Sequence, residues 1–262
     1  MLNQKRRLRL GRLAGLTLMF GVVAGSQFVA WAQGDGGRDA QIEADVHKTL
    51  DNQKYAKVNV AVHDANVTLS GTVDLYAEKE DADRRVHHVK HVKAVDNELQ
   101  VGGVAVDDAA LREKLARGLA YDRVGYGTTP FNAVTVGVQN GVVTVGGTVY
   151  GPADKASAIG FVENTAGVKD VVDNIQVQPL SPMDDQLRLA LARAIYGDPQ
   201  LMKYAYDPNK PIRIVVANGN ATLVGVVDNK MDHDIAGLRA NTVPGVFKVT
   251  NNLQISGPKS GK

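Results

Sequence analysis

The sequence predicts an α+β protein of three tandem α-β-β-α-β domains, each with two helices packed on one face of a three-stranded sheet. Segments 58–101, 134–177 and 212–255 overlay without a gap, at offsets of 76 and 78 residues. Within each, two apolar runs of period two flank a turn, which is the pattern of a hairpin, and an apolar period of three to four follows before a last strand. Ahead of each lies one more helical stripe: Ile42, Val46, Leu50; Leu111, Leu115, Leu119; Leu187, Leu191, Ile195.

The first strand alternates at Val58, Val60, Val62, at Val134, Val136, Val138 and at Ile212, Ile214, Val216. Asn140-Gly141 and Asn218-Gly219 then supply the positive φ angles of a two-residue hairpin, and Asp64-Ala65 replaces them in copy one. The returning strands share Gly71, Gly147 and Gly225, and an interior strand glycine marks a bulge or a close backbone approach. Ala82, Val86, Val89 and Ala158, Val162, Thr165 give the second helix its face. Gly167 and Gly245 stop it in a left-handed C-cap, where copy one has His91. Val95, Leu99, Val101, with their counterparts Val171, Ile175, Val177 and Val249, Leu253, Ile255, close each sheet.

The ends follow from charge. Lys5, Arg6, Arg7, Arg9 and Arg12 precede the apolar run Leu13–Gly25, and Ala30-Trp31-Ala32 offers small residues where a signal peptidase reads. The expected arrangement is a signal peptide over 1–32 cleaved before Gln33, a linker over 33–38, domains over 39–103, 104–179 and 180–257, and a tail over 258–262. An uncleaved leader anchored in the inner membrane is the alternative. The short joins Gly102-Gly103 and Pro179-Leu180-Ser181-Pro182 read as linkers. Thirty Lys/Arg face 28 Asp/Glu over the chain, and five of those bases lie in the leader. The remainder is slightly acidic and has no global pull toward nucleic acid. With no cysteine in the chain, disulfides, thiolate metal sites and a lipidated cysteine are excluded.

NGVVTVGGTV followed by AGVKDVVDNIQV, and NGNATLVGVV with PGVFKVTNNLQI, resemble the BON domain. The resemblance covers nearly all of the chain after the leader. Its motif is a hairpin, a glycine, a helix stop and a strand, so it specifies fold rather than chemistry. It implies a periplasmic or envelope-associated protein, connected with osmotic and envelope stress and with phospholipid surfaces.

No nucleophile elbow, HExxH, Walker loop or dinucleotide fingerprint occurs. No catalytic residue, cofactor, metal or small-molecule substrate is expected. Five of six histidines fall in copy one, and His87 and His91 are spaced as a pair on a helix face. However, His91 stands at the helix stop, so a solvated helix end accounts for them better. Asp107-Asp108, Asp184-Asp185 and Asp232-His233-Asp234 open helices, where carboxylates offset the positive end.

The copies differ most between first helix and first strand. That connection lengthens from 8 positions in copy one to 15 and 17 in copies two and three. The insertions carry Tyr121, Arg123, Tyr126 and Phe131, and then Lys203, Tyr204 and Tyr206. Rings among cations suit the headgroup level of an anionic phospholipid surface. Equally, the rings can fold back to cap their own small cores. The expected function is therefore non-enzymatic attachment to a phospholipid surface, with a periplasmic chaperone or module for unfolded or envelope proteins as the alternative.

Overall fold

The structure, a computed structural model, describes residues 36–179 and 181–256. The expected leader, its cleavage point and the tail lie outside the described residues. Copy one runs α1 (Gly36–Thr49), β1 (Val58–His63), β2 (Asn66–Val73), α2 (Tyr76–His87), β3 (Ala94–Asn97) and β4 (Gln100–Val101). Copy two runs α3 (Asp108–Tyr121), β5 (Ala133–Gln139), β6 (Val142–Val149), α4 (Pro152–Glu163) and β7 (Asp170–Val177). Copy three runs α5 (Pro182–Tyr196), a short α6 (Lys203–Tyr206), β8 (Arg213–Ala217), β9 (Asn220–Val227), α7 (Lys230–Asn241) and β10 (Lys248–Ile255). In each sheet the second strand is central. It pairs antiparallel with the first across the tight turn and parallel with the last, so the second helix is the crossover a parallel pair requires. Copy one departs only in its last strand, which β3 and β4 form in two pieces along β2.

Non-glycine residues take the special backbone positions of copy one without changing its course. Asp64 and Ala65 sit at φ 51° and 66°, as Asn140-Gly141 and Asn218-Gly219 do, and His91 takes φ 70° where Gly167 and Gly245 stand. A left-handed L-residue costs roughly 1–2 kcal/mol, so something must hold the turn. Asp39 does so: its two carboxylate oxygens accept the amides of Asp64 and Ala65, each at 2.9 Å. Asp108 accepts from Asn140 and Gly141, and Asp184 from Asn218 and Gly219, at 2.6–2.9 Å. These carboxylates tie first helix to hairpin, which for Asp108 and Asp184 is a larger role than the expected helix-end compensation. The strand glycines have a steric reason. A Cβ on Gly71, Gly147 or Gly225 would lie 2.1, 2.0 or 2.4 Å from the carbonyl oxygen of Lys57, Ala133 or Pro211, and all three have positive φ.

Three cores result. Ile42, Val46, Leu69 and Val86 centre the first, and Leu111, Leu115, Val145 and Val162 the second. The third, around Leu191, Ile195, Ile214 and Leu223, takes in Phe131 of copy two. The join after β7 is thus no free linker. Buried Gln178 donates to the Phe131 carbonyl (2.7 Å), and its own oxygen accepts from Arg188 Nε (3.0 Å) and Val216 N (3.2 Å). Arg188, also buried, donates to the Val216 carbonyl at 2.7 Å. Together they occupy the N–H and C=O of Val216 on the outer edge of β8, groups that would otherwise be open to another strand.

Candidate surface-binding site

Each loop between first helix and first strand is pinned to the second helix of its own domain by one carboxylate. In copy two, buried Asp154 on α4 accepts from Thr128 Oγ1 (2.6 Å) and Asn132 Nδ2 (2.9 Å), with Arg123 Nε 3.4 Å away. In copy three, Asp232 on α7 is fully buried and accepts from Tyr204 (2.5 Å), Gln200 (2.9 Å) and Lys203 (2.7 Å). Asp154 and Asp232 are equivalent by the repeat offset of 78. In copy one that position is Glu78, which caps its own helix start, and Asp81 one turn later takes over. It accepts from Tyr55 (2.6 Å), Lys54 (2.8 Å) and two arginines of α2. A cation over a ring accompanies every anchor: Lys54 on Tyr55 (4.9 Å), Arg123 on Tyr126 (4.0 Å) and Lys203 on Tyr204 (4.9 Å).

The anchors divide the expected contact residues. Phe131 is 5% exposed and Tyr204 2%, so neither ring is available to a surface. Both fold back, Phe131 into the core of copy three and Tyr204 beneath its own loop, because each small domain lacks apolar volume of its own. Tyr121, Tyr126 and Tyr206 stay outside, at 55%, 69% and 78% exposure. Arg123 and Lys203 are not free cations. Arg123 faces Asp154, and Lys203 bridges Asp228 (2.8 Å) and Asp232.

The charges at the copy-three anchor are mutually locked. Burial pushes the Asp232 carboxyl up, but hydrogen bonds from Lys203, Tyr204 and Gln200 outweigh it and hold the group below the ordinary range. Hydrogen bonds to Asp228 and Asp232 raise Lys203. Burial, then the bond to Asp232, pushes the Tyr204 phenol up to about 12. The carboxylate therefore stays ionised and the phenol protonated at neutral pH. Asp81 is likewise held low, its four donors overcoming burial.

The two long loops, distant in sequence, meet. Asn209 Nδ2 donates to the Tyr121 hydroxyl at 3.2 Å, and the Arg213 guanidinium donates to the Thr129 carbonyl. This meeting needs the tertiary arrangement, and no local pattern carries it. The anchors were legible in principle, since overlaying the copies places Asp154 on Asp232. Elsewhere, His87 ends α2 beside Asp83 (3.1 Å), while His91 lies beyond the helix in a left-handed conformation. The pair does not share a turn. Among the described residues no group of three or more His, Asp or Glu is placed to hold a metal, and no helix is long and apolar enough to cross a membrane.

Comparison with known proteins agrees with this architecture. The chain is 32% identical over 151 residues to osmotically-inducible protein Y of Escherichia coli K12, covering 53% of this chain and 73% of that protein. It is 29% identical over 148 residues to an uncharacterized protein from the gshII 5′ region of Anaplasma centrale, covering 53% and 95%. Among solved structures, CdsD, a structural protein of the type III secretion system of Chlamydia trachomatis, aligns over 84% of this chain and 95% of its own at 16% identity. Its TM-score is 0.24. The family model of the BON domain matches residues 38–103, 107–179 and 184–257. Each match spans one α-β-β-α-β unit, the first and third starting two residues inside α1 and α5, and the chain belongs to the BON domain family.

Proposed function

We propose that this is an exported, non-enzymatic envelope protein that attaches peripherally to phospholipid surfaces during osmotic or envelope stress. The stress assignment rests on the similarity to osmotically-inducible protein Y, and the export on the basic and apolar leader with Ala30-Trp31-Ala32. The observation that carries the attachment is the meeting of the two long loops, with Tyr121, Tyr126 and Tyr206 left outside on anchored backbone. An amphipathic ring held at a surface gains by burying its face at the headgroup level while its hydroxyl stays wet. Several rings on one rigid base bind together where one would not. Because Arg123 and Lys203 are already neutralised, ring burial outweighs charge, and moderate salt should weaken attachment little.

The test is co-sedimentation of the chain from Gln33 onward, which retains every described residue, with phosphatidylethanolamine/phosphatidylglycerol vesicles. Replacing Tyr121, Tyr126 and Tyr206 with Ser should abolish pelleting and leave the melting temperature unchanged. Undiminished pelleting of that variant would remove the loops as the contact.

A further inference from the structure

Where the middle and third domains meet, α3 and β5 on one side face the segment leading into β8 and the bend of β9 on the other. They line a half-open groove of about 390 Å³, within the range of small-molecule sites, about 300–1,000 Å³. Its walls are largely apolar, with Leu119, Val134, Val136 and Val226 among them. Three cations line it, Arg112, Lys210 and Arg213, and no Asp or Glu among the described residues does.

Arg213 is held rather than merely present. Its guanidinium donates to the backbone carbonyls of Thr129 and, at 3.4 Å, Pro208. Those acceptors fix the fork without neutralising it. Burial pulls its pKa down, and no carboxylate contributes to that shift. Arg112 and Lys210 are exposed at the rim. A half-buried charge balanced only by neutral carbonyls is unfavourable unless an anion completes it, and a planar fork matches a carboxylate or a phosphate. Apolar walls add the second requirement, a tail to cover them. A compact anion would leave the walls wet, whereas a neutral lipid would leave the cations unpaired.

We propose that this groove binds one free single-chain fatty acid, its tail along Leu119, Val134 and Val226 and its carboxylate among Arg112, Lys210 and Arg213. The assignment is independent of attachment to a bilayer, since it uses none of the three exposed tyrosines.

Calorimetric titration of the chain from Gln33 onward with dodecanoate below its micellar concentration tests it. Butyrate and inorganic phosphate serve as comparators. One saturable site is expected, with dodecanoate at least about tenfold tighter than either comparator, because it buries about eight more methylenes than butyrate and a tail that phosphate lacks. Ala116→Trp, at an exposed position of α3 on the groove wall, should abolish binding by occupying the space. Arg112→Glu with Lys210→Glu should weaken it at least about tenfold by a separate route. Both variants should melt as the parent does and pellet with vesicles as before. No saturable site, phosphate binding as tightly as dodecanoate, or unchanged affinity in both variants would each overturn the proposal. So would loss of vesicle binding in Ala116→Trp, which would make the groove part of the bilayer contact.

Discussion

Asp232→Asn is the sharpest perturbation of the loop anchor, because it keeps the shape and removes the charge. The buried carboxylate accepts three donors, from Tyr204 at 2.5 Å, Gln200 at 2.9 Å and Lys203 at 2.7 Å. An amide keeps one acceptor oxygen and turns an NH₂ toward the remaining donors. Lys203 is nearly half exposed and already bridges Asp228, so it can withdraw at little cost and is discounted. Tyr204 can keep the amide oxygen, but Gln200 then faces an NH₂ and is satisfied only by turning its own amide over, and both bonds lose their charge assistance. Hydrogen bonds to a charged group contribute roughly 1.5–3 kcal/mol each, and part of one is recovered, so the net loss is about 3 kcal/mol, the low end for breaking a buried charged network. Copies two and three share a core through Phe131 and should melt as one unit of about 150 residues, for which this corresponds to roughly 6–12 °C. Circular dichroism melts at pH 7 measure it directly. A shift under about 2 °C would show that the carboxylate does not hold the loop. Lys203→Met, the internal control, should shift the midpoint far less.

Other outcomes follow from the same geometry. Gly147→Ala and Gly225→Ala place a Cβ 2.0 and 2.4 Å from a backbone carbonyl and should cost roughly 2–4 kcal/mol. The adjacent Gly146→Ala meets the Thr135 hydroxyl at 3.3 Å and the Asn174 Cβ at 4.0 Å, both side-chain atoms, and should stay within about 0.5 kcal/mol; equal melts for Gly146→Ala and Gly147→Ala would refute the steric account. Phe131→Ser should destabilise the joined second and third domains by about 3 kcal/mol as a core truncation, whereas Tyr126→Ser should leave denaturant midpoints unchanged. Stability should also bend with pH on both sides. Asp232 and Asp81 are held below their ordinary value, so their contribution is complete above about pH 4 and is lost as acid protonates them in the folded state. Tyr204 is pushed up to about 12, so its contribution is complete below about pH 10 and disappears as pH climbs through the folded value. Melting midpoints across this range check both limbs, and Asp232→Asn should flatten the acid one.

Much of the fold was legible because the three copies act as three readings of one pattern. Period two at Val134, Val136 and Val138 and period three to four at Leu111 and Leu115 both report burial on one face. The alignment also identified Gly147 and Gly225 before any carbonyl contact was visible. What stayed hidden depends on contacts between elements far apart in sequence. Asp39, Asp108 and Asp184 look like ordinary helix-opening acids until the hairpin turn is placed beside them. Phe131 and Tyr204 have the same local signature as Tyr126 and Tyr206, a ring in a polar loop, and only packing separates buried from exposed. Asp64-Ala65 and His91, which stand in copy one where the other copies have Asn-Gly and glycine, adopt the same left-handed conformations. At the turn, the Asp39 carboxylate supplies bonds that offset the missing glycine.

Whether attachment belongs to the joined loops of copies two and three can be read directly by sedimentation of fragments. Fragments 104–262 and 33–103 can each be sedimented with phosphatidylethanolamine/phosphatidylglycerol vesicles beside the chain from Gln33 onward. The first fragment keeps Tyr121, Tyr126 and Tyr206 with both anchors, while the second keeps only the short loop of Tyr55. Fragment 104–262 should pellet as fully as the longer chain, and fragment 33–103 should remain in the supernatant. Pelleting of 33–103 with 104–262 left unbound would contradict the account.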